Sequence, residues 1–152
     1  MILHHLVLDT PTLVAMSGNR QVSALVHWAD LEVETRLWVP TLSVLEADRE
    51  YLGIAEHVGQ LESLHTVDLD YPAALAVARM ERDGVPPGIG AAIHAVRHLP
   101  EWGADAAVAT VSPKAYDGRG AHALWQRVFP SVDLARRPPL APPRAGSAPG
   151  AS

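Results

Sequence analysis

Two acidic residues, Asp9 and Glu46, each lie just after a stretch that predicts a buried β-strand. Two carboxylates held a few ångströms apart repel each other unless a proton or a cation lies between them. Mg²⁺ accepts one or two protein carboxylates and completes its shell with water and phosphate oxygens. Hydrolysis of a phosphodiester by metal-activated water is the natural reaction of such a pair, although two-metal hydrolysis normally needs more than two acids.

A structural role is open to each of these acids as well. Asp9 could simply cap the helix that follows it. Glu46 stands three residues after Ser43, which is the spacing of a capping box at a helix start. The sequence leaves both alternatives open, and the position of each carboxylate decides between them.

The segment 2–16, ILHHLVLDTPTLVAM, contains the first acid and predicts a strand followed by a helix. Its branched apolar residues are typical of an inner parallel strand that is covered on both faces. Thr10 and Pro11 then predict an N-cap followed by proline at the first helical position. Asp9 would therefore lie at the carboxyl end of a central strand, where ligands bind in open α/β sheets.

Strands and helices alternate along the rest of the chain. Asp70 and Pro72 predict one helix start, and Gly84 predicts the end of that helix. Further strands are predicted at 36–41, 65–69, 106–110 and 131–134, a loop at 85–90, and helices at 20–32, 43–64, 71–83, 89–99 and 121–128. This order predicts an α/β protein, a three-layer sandwich with a central parallel sheet of four or five strands.

The composition indicates one folded domain over residues 1–135 and a flexible Pro/Ala-rich tail over 136–152. The chain has 152 residues and no cysteine, which excludes disulfides and thiolate metal sites. Its net charge of −5 argues against broad, salt-driven coating of nucleic acid. With no apolar run long enough to cross a bilayer and no signal segment, we expect a cytoplasmic protein without a membrane partner.

Five segments, in this order and spacing, resemble a PIN domain, the fold of VapC-type toxin ribonucleases. They are LVLDT, VPTLSVLEA, TVDLDYPAALAVARMERDG, GAAIHAVRHL and AAVATVSPKAY, and the likeness extends over residues 3–134. The resemblance implies a compact parallel α/β domain that forms a homodimer and cuts RNA. It also implies Mg²⁺ or Mn²⁺ held by three or four acids, and a small antitoxin protein that occupies the active-site groove.

The acidic cluster implied by the resemblance is incomplete. Asp9 matches the first acid and Glu46 the second, with Thr10 at the small hydroxyl position after the first. The third acid would open the helix AAIHAV, where Ala91 or Ala92 stands instead. The fourth would follow the strand-end threonine, where the chain has Ser112. Two of four expected ligands are therefore replaced by residues without charge.

Other side chains could contribute to such a site. His94 and Asp117 are candidate substitute ligands, although imidazole suits Mn²⁺ or Zn²⁺ better than Mg²⁺, and each also has an ordinary structural role open to it. Basic and hydroxyl residues could contact a phosphate backbone. These candidates for nucleic-acid contact are Thr10, Ser112, Lys114, Arg97 and Arg119.

Two functions follow from the resemblance, and a third possibility lies outside it. The first is a PIN-like domain that has lost catalysis and acts as a nucleic-acid-binding or protein-binding module. The alternative is an active Mg²⁺- or Mn²⁺-dependent endoribonuclease of the VapC toxin type, with Asp9 and Glu46 as its catalytic residues. The third is an unrelated α/β protein in which both acids serve only as helix caps.

Overall fold

Four short parallel strands form the centre of the protein in a computed structural model that describes residues 4–98 and 105–117. The strands are β1 (His4–Leu8), β2 (Thr35–Pro40), β3 (Leu64–Val67) and β4 (Asp105–Ala109), and they lie in the order β3-β2-β1-β4. Each described pair of neighbours is parallel. The predicted α/β class with a central parallel sheet is confirmed. The helix predicted at 121–128, the strand at 131–134 and the tail at 136–152 lie outside the described residues.

Helices connect these strands and cover both faces of the sheet. They are α1 (Thr10–Ala15), α2 (Arg20–Leu31), α3 (Thr41–Glu50), α4 (Ile54–Gly59), α5 (Tyr71–Arg82) and α6 (Pro87–His98), and a 3₁₀ turn follows β4 at Pro113–Tyr116. Within the described ranges no helix combines the length and the apolar character that crossing a bilayer requires.

Alternation of side chains along the strands creates two separate hydrophobic cores. Leu6, Leu8, Leu37 and Val39 point to one face, where they pack with apolar residues of α1 to α4. Val7, Ala106 and Val108 point to the other face and pack mainly against α6. Successive residues of a strand face opposite sides of the sheet. A strand that is buried on both faces therefore needs consecutive apolar residues, as β1 has at its end. The result is a three-layer sandwich.

Helix boundaries were predicted well where a side chain caps the adjacent backbone. Asp70 caps α5 by accepting a hydrogen bond from the Ala73 amide at 2.9 Å. Gly84 follows the end of α5 with φ of +84°, a conformation that glycine adopts without strain. The segment 43–64 was predicted as one helix with a weakening at Gly53, and the structure has two helices there, because Gly53 with φ of +100° separates α3 from α4.

Three other helix starts differ from the prediction. Asp9, rather than Thr10, is the N-cap of α1. The helix α3 begins at Thr41, so Ser43 and Glu46 lie inside it and do not form a capping box. The helix α6 begins at Pro87, within the predicted loop 85–90. For α3 and α6, proline was taken as the end of a strand or as part of a loop, although proline is also favoured in the first turn of a helix.

The order of the strands places the start of the chain in the middle of the sheet. From β1 the chain moves outward through β2 to β3, and it then crosses to the opposite side of β1 to form β4. In open parallel sheets this reversal leaves a crevice at the carboxyl ends of the two strands that flank it. Asp9 follows β1 and Thr110 follows β4, so both residues lie at that edge.

On the face covered by α6, β1 and β2 are also joined by a hydrogen bond between side chains. Trp38 Nε1 donates to His5 Nδ1 at 2.8 Å, and the Arg36 guanidinium lies 5.8 Å from the centre of the Trp38 ring. Burial lowers the pKa of His5, and the positive charges of Arg36 and His4 lower it further. The neutral imidazole is therefore the form that fits the fold, because a protonated Nδ1 cannot accept the indole N–H.

We predict that the protein loses stability as the pH falls below the ordinary histidine pKa of about 6.5. Because the pKa of His5 is lower in the folded state, the unfolded chain binds more protons in this range, and the free energy of unfolding decreases with the pH. Urea unfolding followed by circular dichroism at pH 7.5 and 5.5 measures the effect. In His5→Gln the decrease should be smaller, and an unchanged pH dependence in that variant would contradict the assignment.

Candidate functional site

The Asp9 carboxylate is buried at the carboxyl edge of the sheet and accepts four hydrogen bonds from the protein. Its Oδ1 accepts from the Thr12 amide at 3.1 Å and from Thr12 Oγ1 at 2.6 Å. Its Oδ2 accepts from Thr110 Oγ1 at 2.7 Å and from the Tyr116 hydroxyl at 2.7 Å. A carboxylate has about four lone-pair positions, and here each has a donor.

The donors come from three elements that meet only in the folded chain. Thr12 lies in the first turn of α1, Thr110 directly follows β4, and Tyr116 lies in the 3₁₀ turn. The two hydroxyls are oriented by amides that donate to them. Val111 N donates to Thr12 Oγ1 at 3.2 Å, and Ser112 N donates to Thr110 Oγ1 at 2.9 Å. The Thr12 hydroxyl lies closer to Asp9 Oδ1, at 2.6 Å, than to the Ala109 carbonyl oxygen, at 3.3 Å, so Asp9 is its main acceptor.

Tyr116 donates its phenol proton to Asp9 and is itself buried. Burial raises the pKa of Tyr116 well above its ordinary value, and the negative charge of Asp9 and the hydrogen bond to it raise the pKa further. The phenol is therefore protonated at any physiological pH and serves as a permanent donor to Asp9. The ring also belongs to the core beneath α6.

Glu46 binds to a different partner, the start of α6. Its Oε2 accepts from the Gly88 amide at 2.7 Å and lies 3.4 Å from Thr10 Oγ1. Ser43 Oγ donates to the Gly88 carbonyl at 2.9 Å. The first amides of a helix have no partner within the helix, and a negative charge there is favourable. Glu46 thus caps a helix that is remote in sequence.

Gly88 is the point at which α6 approaches this acid most closely. A Cβ atom at this position would collide with Thr10 Oγ1 and Glu46 Oε2 and would lie 3.1 Å from Thr10 Cβ. The resemblance to PIN domains implies the third acid at the position of Ala91 or Ala92. Both of these side chains are buried in the protein interior. The residue of α6 that faces Glu46 is Gly88, which contributes no side chain.

Asp9 and Glu46 lie at the same edge of the sheet, as predicted, and Thr10 connects them. They follow neighbouring parallel strands, and the hydroxyl of Thr10, the residue after Asp9, lies 3.2 Å from the Ser43 carbonyl oxygen and 3.4 Å from Glu46 Oε2. Each carboxylate nevertheless has its own protein donors. In residues 4–98 and 105–117 no three His, Asp or Glu side chains form a group that could hold a metal ion. Each oxygen of Asp9 accepts two hydrogen bonds from the protein.

The predicted substitute ligands lie on α6 and after the 3₁₀ turn. His94 stacks on His98, six residues and therefore about 9 Å along α6 from Gly88. Asp117 is exposed and directly follows the 3₁₀ turn. Neither residue forms a hydrogen bond with Asp9 or Glu46 among those that the structure describes.

The predicted nucleic-acid contacts are divided between the two ends of α6. Thr10 is buried, and Ser112, half-buried, lies in the loop after β4. Lys114 is exposed in the 3₁₀ turn near the crevice. Arg97 is exposed near the opposite end of α6, away from Gly88. Arg119 lies outside the described residues. The described candidates therefore do not form one continuous basic surface.

Sequence reasoning missed the residues that satisfy Asp9. Thr12 was recognisable in principle, because a donor in the first turn of a helix often bonds its N-cap residue. The strand-end position of Thr110 gave a weaker signal. The sequence contained no signal that Tyr116 would contact Asp9, because the two residues are 107 positions apart.

A scan against protein-family models gives no match, and a search of curated proteins finds none with significant similarity. The resemblance to PIN domains therefore rests on the sequence motifs, and membership of that family stays a prediction.

We predict that Tyr116→Phe lowers the free energy of unfolding by about 1–3 kcal/mol, because it leaves one lone pair of a buried carboxylate without its donor. Chemical denaturation monitored by circular dichroism provides the measurement. Tyr51→Phe, which removes the hydroxyl of an exposed ring, is the matched control and should leave stability unchanged. Equal stability of the two variants would show that the phenol contributes nothing to holding Asp9.

We predict that Gly88→Ala destabilises the protein by about 1–3 kcal/mol, the usual effect of forcing extra volume into a packed site. Glu46 can move its flexible end, but Thr10 is short and held by the first turn of α1. Gly59→Ala is the control, since a Cβ there meets nothing within 4 Å. Thermal unfolding of the two variants compares them, and a loss of similar size in both would refute the steric argument.

Proposed function

We propose that this chain is a PIN-like domain that does not hydrolyse phosphodiesters and instead acts as a binding module. The observation that carries the proposal is the saturation of Asp9 by four donors from Thr12, Thr110 and Tyr116. A catalytic metal ion takes its protein oxygens from carboxylates that can replace water in its shell. Such an ion would have to break the hydrogen bonds of a buried charge in order to bind here.

The second acid supports the same conclusion. Glu46 holds the amide of Gly88, and exchange of that bond for a metal ion would leave the start of α6 without its cap. The positions implied for the third and fourth acids contribute no carboxylate, because Ala91 or Ala92 stands at the third and Ser112 at the fourth. A buried carboxylate and a carboxylate that already accepts a helix amide do not form a two-metal centre.

Exposed apolar side chains favour a protein partner over a nucleic acid. Tyr71 is 79% exposed, and Leu75, four residues later on the same face of α5, is 38% exposed. The net charge of −5 opposes close approach to a phosphate backbone. A second copy of the chain is the first partner to consider, and a small antitoxin-like protein or RNA would be the alternatives. A cytoplasmic location is part of this proposal.

Metal titration and RNA cleavage test the loss of catalysis directly. Calorimetry with Mn²⁺ on the wild-type chain, Asp9→Asn and Glu46→Gln should give no saturable binding that depends on either acid. A fluorescently labelled single-stranded RNA should stay intact in the presence of Mn²⁺ or Mg²⁺. Glu46→Gln is the decisive variant if Asp9→Asn fails to fold, because the Gln side-chain oxygen can still accept from Gly88.

The opposite outcome would restore the alternative function. Saturable Mn²⁺ binding together with RNA cleavage, both lost in Glu46→Gln, would identify an active metal-dependent endoribonuclease and end the proposal. Sedimentation equilibrium on the same preparations tests the partner: a dimer mass supports self-association. A monomer that binds RNA with a strong dependence on salt would instead identify a nucleic-acid-binding module.

A further inference from the structure

A groove of about 430 Å³ lies between α2 and α4, on the face of the sheet opposite α6. Its floor is apolar, since it is formed by the buried Met16 and Val26 together with the half-buried Leu61. The volume falls within about 300–1,000 Å³, the usual range of ligand pockets. The groove is therefore large enough to take the side chains of a short peptide segment.

The exposed residues around this floor carry negative charge. Asp30 lines the groove near the end of α2 and Glu62 lines it before β3, and both are exposed. The other titratable groups that line it are the imidazoles of His27 and His57, and no Lys or Arg among the described residues does so. Interfaces pair surfaces of opposite charge, so this groove suits a ligand that combines an apolar body with positive charges.

The tail at 136–152 has this chemistry. Its charged side chains are Arg136, Arg137 and Arg144, whereas all 17 acidic residues lie in the rest of the chain. The apolar run PPLAPP stands between these arginines. Proline-rich segments favour the extended polyproline II conformation and therefore lose little conformational entropy on binding. Arginine forms paired hydrogen bonds with carboxylates, so the tail complements the groove in both charge and apolar character.

Chain length allows the tail to reach the groove of its own domain. Arg136 is 19 residues beyond Asp117, the last described residue, and a fully extended chain of that length spans up to about 60 Å. A domain of about 135 residues has a radius of gyration of about 14 Å. Attachment to the same chain also gives the tail an effective concentration in the millimolar range, so modest contacts are enough to hold it in place.

We propose that residues 136–144 of the tail, RRPPLAPPR, bind in the groove between α2 and α4 of the same chain. Leu140 and the prolines would pack on the apolar floor, and the flanking arginines would pair with the two carboxylates. The groove contains neither Asp9 nor Glu46, so this inference is independent of the proposed loss of catalysis. The tail is then an internal ligand that any other partner of the groove must displace.

A spin label on the tail of the full chain tests this contact. The chain has no cysteine, so Ser147→Cys supplies a single site for a nitroxide close to the proposed segment. The label should reduce the intensity of the amide signals of His27, Asp30 and His57, which line the groove, relative to the spectrum recorded after the label is reduced with ascorbate. The signals of α5, which packs on the other face of the sheet, should keep their intensity.

Matched charge variants show whether the carboxylates hold the tail. Asp30→Asn/Glu62→Gln removes both carboxylates of the groove and should restore the lost intensity. Glu50→Gln/Glu81→Gln removes the same charge from positions outside the groove and should leave the loss unchanged. All four residues are exposed, so their replacement leaves the fold intact. Intensity losses of equal size in the two double variants would refute the proposal.

A mixed sample shows whose tail is bound. Chain enriched in ¹⁵N and without the label is mixed with spin-labelled chain of natural isotope content. Its groove signals should lose no intensity, because the bound segment belongs to the same chain. A loss in this mixture would assign the groove to the tail of a second copy and overturn the proposal, as would unchanged groove signals in the labelled ¹⁵N chain. Neither result affects the metal titration and RNA cleavage that test Asp9 and Glu46.

Discussion

A buried negative charge at the end of β1 organises the carboxyl edge of this protein. Removing a carboxylate from water is strongly unfavourable unless hydrogen bonds replace those that water supplied. Asp9 obtains these bonds from the first turn of α1, from the end of β4 and from the 3₁₀ turn that follows. The need to satisfy one side chain therefore fixes how three separate segments meet.

The same edge shows how little distinguishes a catalytic acid from a structural one. Asp9 and Glu46 are the residue types, at the strand ends, that a metal-dependent hydrolase uses. In this structure hydroxyls and amides of the protein donate to both carboxylates, and this is the basis of the proposed loss of catalysis. Tyr116 donates to one carboxylate and the Gly88 amide to the other, so both acids contribute to the stability of the fold.

Gly88 illustrates a constraint that works through an absent side chain. The start of α6 comes close enough to Glu46 for its amide to be capped only because no Cβ intervenes. Ser43 completes the contact by donating to the carbonyl of the same residue. This junction joins α3 and α6, and α6 in turn carries the core on one face of the sheet and the histidine pair at its far end.

The sequence by itself determined the parts of the structure that depend on neighbours along the chain. Apolar runs predicted the four described strands, Asp70 and Gly84 marked the limits of α5, and the strand ends brought Asp9 and Glu46 to one edge. Only the tertiary structure decided what those acids bind. Thr110 and Tyr116 lie about a hundred residues from Asp9, and Gly88 lies 42 residues from Glu46. Local sequence pattern indicates periodicity and helix caps. Hydrogen bonds between residues so far apart form only when the sheet has brought the carboxyl ends of its strands side by side.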